Sequence, residues 1–431
     1  MQRAPVVSAE LGWQERLATI IETMREMSQQ TDPQAMVRAY GERIRQVLPL
    51  DRRVSLSRRG LQEPAFRVTR STTWSEDINP WKERHRLPLL QGGLFAELLY
   101  AERACVLEDV TVPASDPAAE YLSGCRSLMA IPMYDRGEAL NMVILLRNEP
   151  GAFAVEQLPE VVWRSNLFGQ ATNNLVLKGE LERAYRALDR ELRAVGEIQH
   201  ALLPAELPQI PGLDLAAHYQ PAAWAGGDYY DLFPLPGGQW GIFMADVSGH
   251  GTPAAVLMAV THCLAHTLPG PMMPADRVLD RLNQQLSRRY ARLTETFVTA
   301  FYGTYDPATR SLQYACAGHP PPLVKRCQDG TLRRLDAARG MPLGLFDEAT
   351  YEPAHADLEL GDQLLFYTDG ISEALNPQGQ LFGTERLEAE LGQCTLQATA
   401  LLHSILAAVE SFCAGRAADD DRTLLVARVT R

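Results

Sequence analysis

Residues 239–253 read QWGIFMADVSGHGTP, an apolar run that ends at a carboxylate and continues into a glycine-rich turn. The run up to Ala245 has the composition of a buried β-strand. Gly249 and Gly251 indicate a tight turn, and the Thr-Pro pair after them is a favourable start for a helix. The order of strand, aspartate, turn and helix therefore predicts that Asp246 is held at the end of a buried strand.

Three other acidic turns have the same relation to an apolar strand. They are Gly226-Gly227-Asp228-Tyr229-Tyr230-Asp231, Tyr367-Thr368-Asp369-Gly370 and Asp419-Asp420-Asp421-Arg422-Thr423. Aspartates at strand ends can meet at one edge of a sheet sandwich. Carboxylate oxygens are the ligands that Mg²⁺ and Mn²⁺ prefer, and a pair of such ions can activate water for attack on a phosphoryl group. The four turns together predict a two-metal site.

The chain from residue 205 to residue 431 reads as one layered domain. Pro204, Pro208 and Pro211 break the preceding helix and mark its boundary. Strand patterns recur at 213–219, 227–235, 239–246, 297–305, 311–317, 322–326, 363–368 and 423–429. Amphipathic helices are predicted at 252–268 and 275–293. Many strands with clustered helices predict an α+β layered sandwich and not a βαβ repeat.

From Gln199 onward the sequence resembles the SpoIIE/RsbU-like branch of the PPM-type protein phosphatases. The matching segments, in order, are EIQHALLPAELPQIPGLDLAAHYQPA, GGDYYD, DVSGHGTPAAVLM, FVTAFYGTYD, YACAGHPPPLV, MPLGLF, GDQLLFYTDGISEALN, FG and DDRTLLVARV. The resemblance implies an αββα sandwich that binds two Mn²⁺ or Mg²⁺ ions.

Carried over residue by residue, the resemblance implies four aspartates that are both metal ligands and catalytic. Asp228 is then the first metal aspartate. Asp246 bridges both metals, with the Val247 carbonyl as a further ligand, and Asp369 and Asp420 complete the shell of the second metal.

Some positions near these aspartates stay open. Asp421 is an alternative to Asp420, because one-residue shifts are easy in a run of aspartates. Asp231 either assists through a water or is a surface carboxylate at a strand end. His250 lies four residues after Asp246, whereas eukaryotic relatives carry a histidine two residues after it, and a loop role is the alternative to a catalytic one. We expect His319 to structure its loop.

A second departure concerns phosphate binding. Eukaryotic phosphatases of this type carry an upstream arginine that binds the phosphate. Here no arginine lies between Arg193 and Arg277. The resemblance therefore leaves the arginine clamp in doubt.

The resemblance implies hydrolysis of phosphoserine or phosphothreonine by a water activated between the two metals. It also implies a protein substrate, a phosphorylated STAS-type anti-sigma-factor antagonist, in a partner-switching pathway. One alternative is a catalytically inactive partner-switching scaffold. Another is a nucleotide cyclase, because Gly226-Gly227-Asp228-Tyr229-Tyr230 superficially resembles a cyclase loop, although this alternative leaves Asp369 and Asp420 without a role.

The N-terminal part is predicted to be a separate sensory domain. An amphipathic helix is predicted from residue 9 to 28, within an N-terminal segment of residues 1–29. A second helix starts after Thr31-Asp32-Pro33, which provides a cap and a first-turn proline. The order of helices and strands over 30–175, with SLMAIPM and RGEALNMVILL, resembles a GAF domain. This resemblance implies an α+β fold with a pocket for a small-molecule or protein signal; a purely assembling domain is the alternative.

Residues 176–204 are predicted to form a helical linker that dimerises as a coiled coil. Leu181, Leu188, Val195 and Leu202 are seven residues apart, while Leu177, Ala184 and Ile198 fill the alternate position, which Glu191 interrupts. A repeated apolar seam lets two helices bury a common stripe. We therefore predict a homodimer; a helix packed on its own domain is the alternative.

The composition excludes several classes of protein. The net charge of −12 argues against nucleic acid as a partner, since phosphate binding needs an excess of lysine and arginine. No apolar run reaches the ~18–20 residues of a membrane span. The 7 cysteines form no C-x-x-C pair, which fits neither a zinc site nor a disulfide framework. We expect a cytoplasmic protein without membrane or nucleic-acid partners.

Overall fold

The computed structural model describes residues 13–48, 50–267, 273–291 and 296–430, and the chain divides into two compact units, Met1–Tyr185 and Arg186–Arg431. The start of the first predicted helix at residues 9–12 and the predicted helix ends at 268 and 292–293 lie outside the described residues. The division at Tyr185 falls inside the predicted linker, and the finer domain boundaries stay predictions.

The N-terminal unit contains an antiparallel sheet with the strand order β3-β2-β1-β6-β5-β4. Its strands are β1 Arg52–Ser57, β2 Ala65–Ser71, β3 Leu89–Gln91, β4 Cys105–Leu107, β5 Ser127–Asp135 and β6 Glu138–Arg147. Its helices are α1 Trp13–Gln29, α2 Pro33–Val47, α3 Gly93–Ala101 and α4 Ala119–Leu122. The predicted cap of α2 is confirmed, because Asp32 Oδ2 accepts a hydrogen bond of 2.8 Å from the Ala35 N–H.

Both faces of this sheet are covered, and β5 and β6 are apolar on both sides, whereas β1 and β2 are apolar on one side. On one face Val54, Leu56 and Phe66 pack with Phe95 and Leu99 of α3. On the other face residues of β5 and β6 pack with α2 and with a long helix, α5 (Leu158–His200). The resemblance to a GAF domain stays a prediction.

Helix α5 runs without a break across the predicted boundary between sensory domain and linker. We expected a closing helix near 156–175 and a separate linker helix, but the structure has one helix of 43 residues. The sequence between Leu175 and Leu177 contains no proline or glycine to end a helix. Several apolar side chains of the predicted seam are exposed in the single chain: Leu177, Leu181, Leu188 and Ile198.

The C-terminal unit contains two antiparallel sheets, with the orders β14-β11-β10-β9-β8 and β13-β12-β15-β16-β7. The strands of the first are β8 Tyr229–Pro234, β9 Trp240–Val247, β10 Val298–Asp306, β11 Ser311–Ala317 and β14 Ala354–Asp357. Those of the second are β7 Leu213–Gln220, β12 Leu323–Lys325, β13 Leu332–Arg334, β15 Gln363–Tyr367 and β16 Arg422–Val429.

Helices cover the outer face of each sheet. They are α6 Thr252–His266, α7 Ala275–Leu286, α8 Asp369–Ser372, α9 Thr384–Leu391 and α10 Ala398–Cys413. Residues of α6 and α7 form one apolar core with the first sheet, and residues of α8, α9 and α10 form another with the second. A third core lies between the sheets and includes Met244, Phe301 and Phe366. This layer order matches the predicted αββα sandwich.

Two features of the C-terminal unit differ from the sequence analysis. Strands β13 and β14 and helices α9 and α10 were not predicted. Cys327 and Cys394 are joined in a disulfide across 67 residues, with their Cα atoms 5.8 Å apart, so the expectation that no disulfide framework exists was wrong for this pair. Their sequence separation gave no signal, because the fold alone brings the two loops together.

No helix in the described parts of the chain combines the length and the apolar character needed to cross a membrane.

Candidate functional site

The four predicted aspartates lie at the ends of strands from both sheets of the C-terminal unit. Asp228 directly precedes β8, and Asp246 lies one residue before the end of β9. Asp369 starts α8 just after β15, and Asp420 lies two residues before β16. Each sheet therefore contributes two of the four carboxylates.

Strand register explains why the carboxylates of each sheet are neighbours. β8 and β9 are antiparallel and pair Tyr229 with Ala245, which places Asp228 and Asp246 at the same end. β15 and β16 pair Tyr367 with Leu424. The ladder continues past Tyr367, because the Thr368 N–H donates to the Thr423 carbonyl at 3.2 Å.

Two threonines of the second sheet hold an aspartate of the first. Asp228 is 1% exposed, and its Oδ2 accepts hydrogen bonds from Thr368 Oγ1 at 2.7 Å and Thr423 Oγ1 at 2.5 Å. Thr368 Oγ1 in turn accepts from the Thr423 N–H at 3.1 Å. These bonds fix the Asp228 carboxylate between the two sheets and leave Oδ1 for another partner.

Asp421 is committed to the backbone of the neighbouring loop. Its Oδ1 accepts from the Ala222 N–H at 2.7 Å and its Oδ2 from the Gly227 N–H at 2.5 Å. A Cβ atom at Gly226 would lie 2.1 Å from Asp421 Oδ2, so this contact requires glycine. Asp420 is exposed, and its Oδ1 accepts from the Asp421 N–H at 2.9 Å; because it is not committed to the neighbouring loop as Asp421 is, the geometry favours Asp420 as the metal ligand.

Burial, and after it the charge of neighbouring carboxylates, raises the pKa values of these aspartates. Burial raises the pKa of Asp246 to about 8, with further contributions from the charges of Asp369, Asp420 and Asp421. Burial and then the charge of Asp420 raise the pKa of Asp369 to about 6. The pKa of Asp228 is raised well above its ordinary value by burial and then by Asp246.

Such a cluster is costly without cations, because buried like charges repel and lose hydration. Divalent cations would remove this cost, and an all-oxygen donor set suits Mg²⁺ or Mn²⁺. The residues present therefore fit a divalent metal site. The Val247 carbonyl oxygen also lies here, 2.7 Å from where a Cβ atom of Gly227 would be.

Asp231 is not part of the cluster. It accepts a hydrogen bond from Tyr229 Oη at 2.6 Å, and its Oδ2 lies 2.6 Å from His266 Nε2 on α6. His262 Nδ1 lies 2.9 Å from the same tyrosine oxygen. Successive side chains of a strand alternate between its faces, so Asp231 points to α6 and not to the aspartates. Neither a water-mediated role nor a surface position describes it.

His250 and His319, for which the sequence suggested loop roles, differ in their surroundings. His250 is exposed, and its charge lowers the pKa of Asp420 against the stronger effect of burial. His319 is buried, and its Nδ1 lies 3.0 Å from the hydroxyl of Thr299, the residue paired with Asp246. Burial lowers the pKa of His319 to about 3, so its imidazole is neutral and fits the predicted structural role.

Gln199 is a site residue that the sequence analysis left without a role. Its Oε1 accepts from the Gly226 N–H at 2.9 Å and its Nε2 donates to the Gly226 carbonyl, while the side chain is 3% exposed. The Gly-Gly-Asp loop is thus tied to the end of α5. Gln199, Thr368 and Thr423 all lie within the segments that resemble the PPM-type phosphatases. Their position in those segments was the available signal for a role in the site.

Comparisons with known proteins agree with this geometry. A family model described as Stage II sporulation protein E (SpoIIE) matches residues 236–430. Phosphoserine phosphatase RsbU of Bacillus subtilis (strain 168) is 31% identical over 191 residues, which cover 44% of this chain and 56% of that protein. Phosphoserine phosphatase RsbP of the same organism is 26% identical over 186 residues, covering 43% of this chain and 45% of that protein. This chain thus spans about half the length of these relatives.

The fold has a solved counterpart in the SiaA-PP2C domain of Pseudomonas aeruginosa. It has a TM-score of 0.50 and 22% identity, and the match covers 57% of this chain and 98% of that domain. The C-terminal unit therefore has the PP2C phosphatase fold. Its relatives and its fold together support a PPM-type protein phosphatase.

Proposed function

We propose that the C-terminal unit is a metal-dependent protein serine/threonine phosphatase. The observation that carries the proposal is the convergence of Asp228, Asp246, Asp369 and Asp420 from two sheets at raised pKa. A site of buried carboxylates suits phosphoryl chemistry only with cations, and the donor set matches two Mn²⁺ or Mg²⁺ ions.

The four aspartates and the Val247 carbonyl would hold the metals, with Asp246 shared between them. When bound, such ions lower the pKa of water and withdraw charge from phosphoryl oxygens. The protein residues supply position: Thr368 and Thr423 orient Asp228, and Asp421 fixes the loop that precedes it. Such outer contacts determine how rigidly metal ligands are presented. No arginine lies in the segment from 194 to 276, so the arginine clamp of the eukaryotic enzymes has no counterpart in that segment.

The substrate class follows from the relatives. RsbU and RsbP are named phosphoserine phosphatases, which favours phosphoserine or phosphothreonine on a protein. The sequence resemblance adds a phosphorylated STAS-type anti-sigma-factor antagonist, acting in partner switching in the cytoplasm.

Asp246→Asn and Asp369→Asn test the assignment. We expect each to lower Mn²⁺-dependent phosphate release by more than about 100-fold, beyond what changes outside the ligand shell cause. The measurement is phosphate release from phospho-antagonist proteins with and without Mn²⁺. Asp419→Asn is the matched control, because this exposed aspartate pairs with Arg416 at 2.9 Å and should keep full activity.

Substantial activity in either site variant would contradict the assignment. A wild-type protein that binds Mn²⁺ but releases no phosphate from any phosphoprotein would instead favour the partner-switching scaffold.

We further propose that α5 forms the dimer and transmits regulation from the N-terminal unit. The exposed seam of Leu181, Leu188 and Ile198 supports a partner helix, since such an apolar stripe is costly in water. Val195→Asp should lower dimerisation and make activity differ from wild type at low protein concentration. Ala194→Asp, which places the same charge on an exposed position outside the seam, is the control. Sedimentation and phosphate release over a concentration series measure both; equal activity of variant and wild type at all concentrations would argue against the proposal.

A further inference from the structure

The N-terminal unit contains a cavity of about 480 Å³ that none of the preceding functions uses. Strands β1, β2 and β6 line it on one side and helices α2 and α5 on the other. A cavity of this size matches sites for small molecules, which typically occupy about 300–1,000 Å³. We call it the arginine pocket, after the residues that dominate its lining: Arg53, Arg59, Arg67, Arg70 and Arg84.

The pocket is strongly positive in a chain whose net charge is −12. Against these arginines, the carboxylates of its lining are Asp135 and Glu180. Asp135 is already paired with Arg59 at 2.7 Å. The remaining positive charge is therefore largely uncompensated by the lining itself.

Three of the arginines have buried nitrogens without a hydrogen-bond partner in the described parts of the chain: Arg53 Nη1, Arg67 Nε and Arg70 Nη2. Among the residues that the structure describes, neither Arg53 nor Arg67 has a carboxylate within ion-pair distance. Arg67 Nη1 donates instead to the Leu87 carbonyl at 2.9 Å. Buried guanidinium groups normally have acceptors for their N–H groups, because an unmet donor in a buried site is costly.

Arg70 is only weakly neutralised. Its Nη1 lies 3.5 Å from Asp77, and the same aspartate lies 3.6 Å from Arg38. Burial, opposed by the charge of Asp77 and assisted by that of Arg53, lowers the pKa of Arg70 to about 10. Burial also lowers the pKa of Arg53. An anion beside these groups would reverse both effects.

We propose that the arginine pocket binds a small organic anion whose carboxylate or phosphate group lies against Arg53, Arg67 and Arg70. Planar guanidinium groups bind both kinds of oxyanion through paired N–H donors. Trp81, whose ring centroid is 5.2 Å from the Arg70 guanidinium carbon, supplies an apolar surface for the rest of the ligand.

The test is a binding titration of the full-length protein. Isothermal titration calorimetry of protein freed of metals with a chelating resin uses inorganic pyrophosphate in one arm and tricarballylate in the other, at about 0.15 M salt so that weak surface binding is screened. Removal of metals prevents metal-bridged binding of either probe at the aspartate cluster, and a resin leaves no soluble carboxylate to compete. We expect one equivalent per chain to bind in at least one arm, and the arm that binds identifies phosphate or carboxylate as the recognised group.

The double variant Arg53→Gln/Arg70→Gln should weaken binding by at least about tenfold, since each lost charge-assisted hydrogen bond costs that much or more. Arg126→Gln is the matched control: this arginine is half exposed, pairs with Asp109 at 2.8 Å and lies outside the lining. It should leave the affinity unchanged.

The melting temperature without ligand separates a binding role from a structural one. If the arginines serve a ligand, the double variant melts at or above the wild-type temperature, because a buried repulsion is removed. If it does not fold, Arg67→Gln alone replaces it in the titration. The proposal is overturned if neither probe binds the wild type, or if the pocket variants bind as tightly as Arg126→Gln.

Discussion

The two units of this protein contain clusters of opposite charge that are partly buried. The C-terminal unit brings together Asp228, Asp246, Asp369 and Asp420, and the N-terminal unit brings together Arg53, Arg67 and Arg70. Burial moves the pKa of the acids upward and that of Arg53 and Arg70 downward, in each case towards the neutral form. Both shifts mean that like charges are costly in each cluster, and that an ion of the opposite charge would stabilise each.

The clusters differ in how they are held. Thr368 and Thr423 bind Asp228 directly, and main-chain turns fix the approach of the other aspartates. The arginines instead extend from strands β1 and β2 on long side chains, and some of their nitrogens have no partner in the described residues. A preorganised cluster suits a reaction, whereas a cluster of flexible cations suits a ligand that orders them on binding.

The largest effect that this comparison predicts is a loss of stability with rising pH in the metal-free C-terminal unit. The folded-state pKa of Asp246 is about 8, far above the ordinary value for an aspartate. Between about pH 4 and 8 the folded chain therefore holds a proton that the unfolded chain has lost, so the free energy of unfolding falls as the pH rises through this window. We expect a loss on the order of a few kcal/mol between pH 5 and 8.

Asp246→Asn should flatten this dependence and make the metal-free protein more stable than wild type at pH 8. Urea unfolding followed by circular dichroism in EDTA measures the change, and Mg²⁺ should then stabilise the wild type more than the variant. Asp419→Asn, on an exposed carboxylate, should keep the wild-type slope. If the free energy of unfolding changed in parallel with pH for wild type and Asp246→Asn, this would contradict the claim that burial and neighbouring charges raise the pKa of this carboxylate.

An intermediate effect is expected from the threonines that orient Asp228. Thr423→Val keeps the shape of the side chain but removes the donor 2.5 Å from Asp228 Oδ2. Loss of such an outer contact typically lowers metal affinity or activity by about 10–100-fold. Thr368→Val should have the larger effect, because Thr368 Oγ1 also accepts from the Thr423 N–H.

The measurement is the Mn²⁺ concentration for half-maximal phosphate release, together with calorimetric metal binding. Thr309→Val, in an exposed turn where the hydroxyl lies 2.9 Å from Ser311 Oγ, is the control and should change neither value. If both threonine variants had the same Mn²⁺ dependence as the control, the hydrogen bonds from Thr368 and Thr423 to Asp228 would have no part in metal binding.

The sequence predicted the aspartate cluster because turn motifs are local. Gly226 and Gly370 mark places where the chain passes within contact of Asp421, and a Cβ atom at Gly370 would lie 1.9 Å from the Asp421 carbonyl oxygen. A glycine near an aspartate at the end of an apolar strand therefore indicates, in the sequence, a close approach that leaves no room for a Cβ atom. The longer strands of the C-terminal unit were likewise predicted nearly to the residue, since their apolar runs are long.

Other elements lacked such a signal or had one that was not used. Strand β13 is three residues, Leu-Arg-Arg, without an apolar pattern. The spacing of Leu401, Leu402, Ile405 and Val409 is typical of a buried helix face, so α10 could have been predicted. Contacts such as Gln199 with Gly226, or the disulfide between Cys327 and Cys394, depend on tertiary structure that no local pattern contains.

The arginine pocket likewise could not be predicted from any local sequence pattern. Arg53 lies in β1 and Arg67 and Arg70 lie in β2, and each alone reads as a surface residue of a strand. Only the pairing of β1 with β2 and β6 and the packing of α2 and α5 place them around one cavity. Charge clusters built from several strands are therefore found in the structure and not in the sequence.

The smallest predicted effect is a change in the free energy of unfolding at the rim of the arginine pocket. It tests whether the arginine side chains are held less rigidly than the aspartates. Trp81 is 40% exposed, and the Arg70 guanidinium lies over its ring. An exposed cation–π contact contributes about 0.5–1 kcal/mol, so Trp81→Leu should lower the free energy of unfolding of the N-terminal unit by no more than this. Trp163→Leu, at an exposed position of α5 outside the pocket lining, is the control for loss of a surface tryptophan. Calorimetric unfolding of the full-length proteins compares the two. A loss of several kcal/mol on Trp81→Leu would mean that the pocket is held as rigidly as the aspartate cluster, and the contrast between the two units would fail.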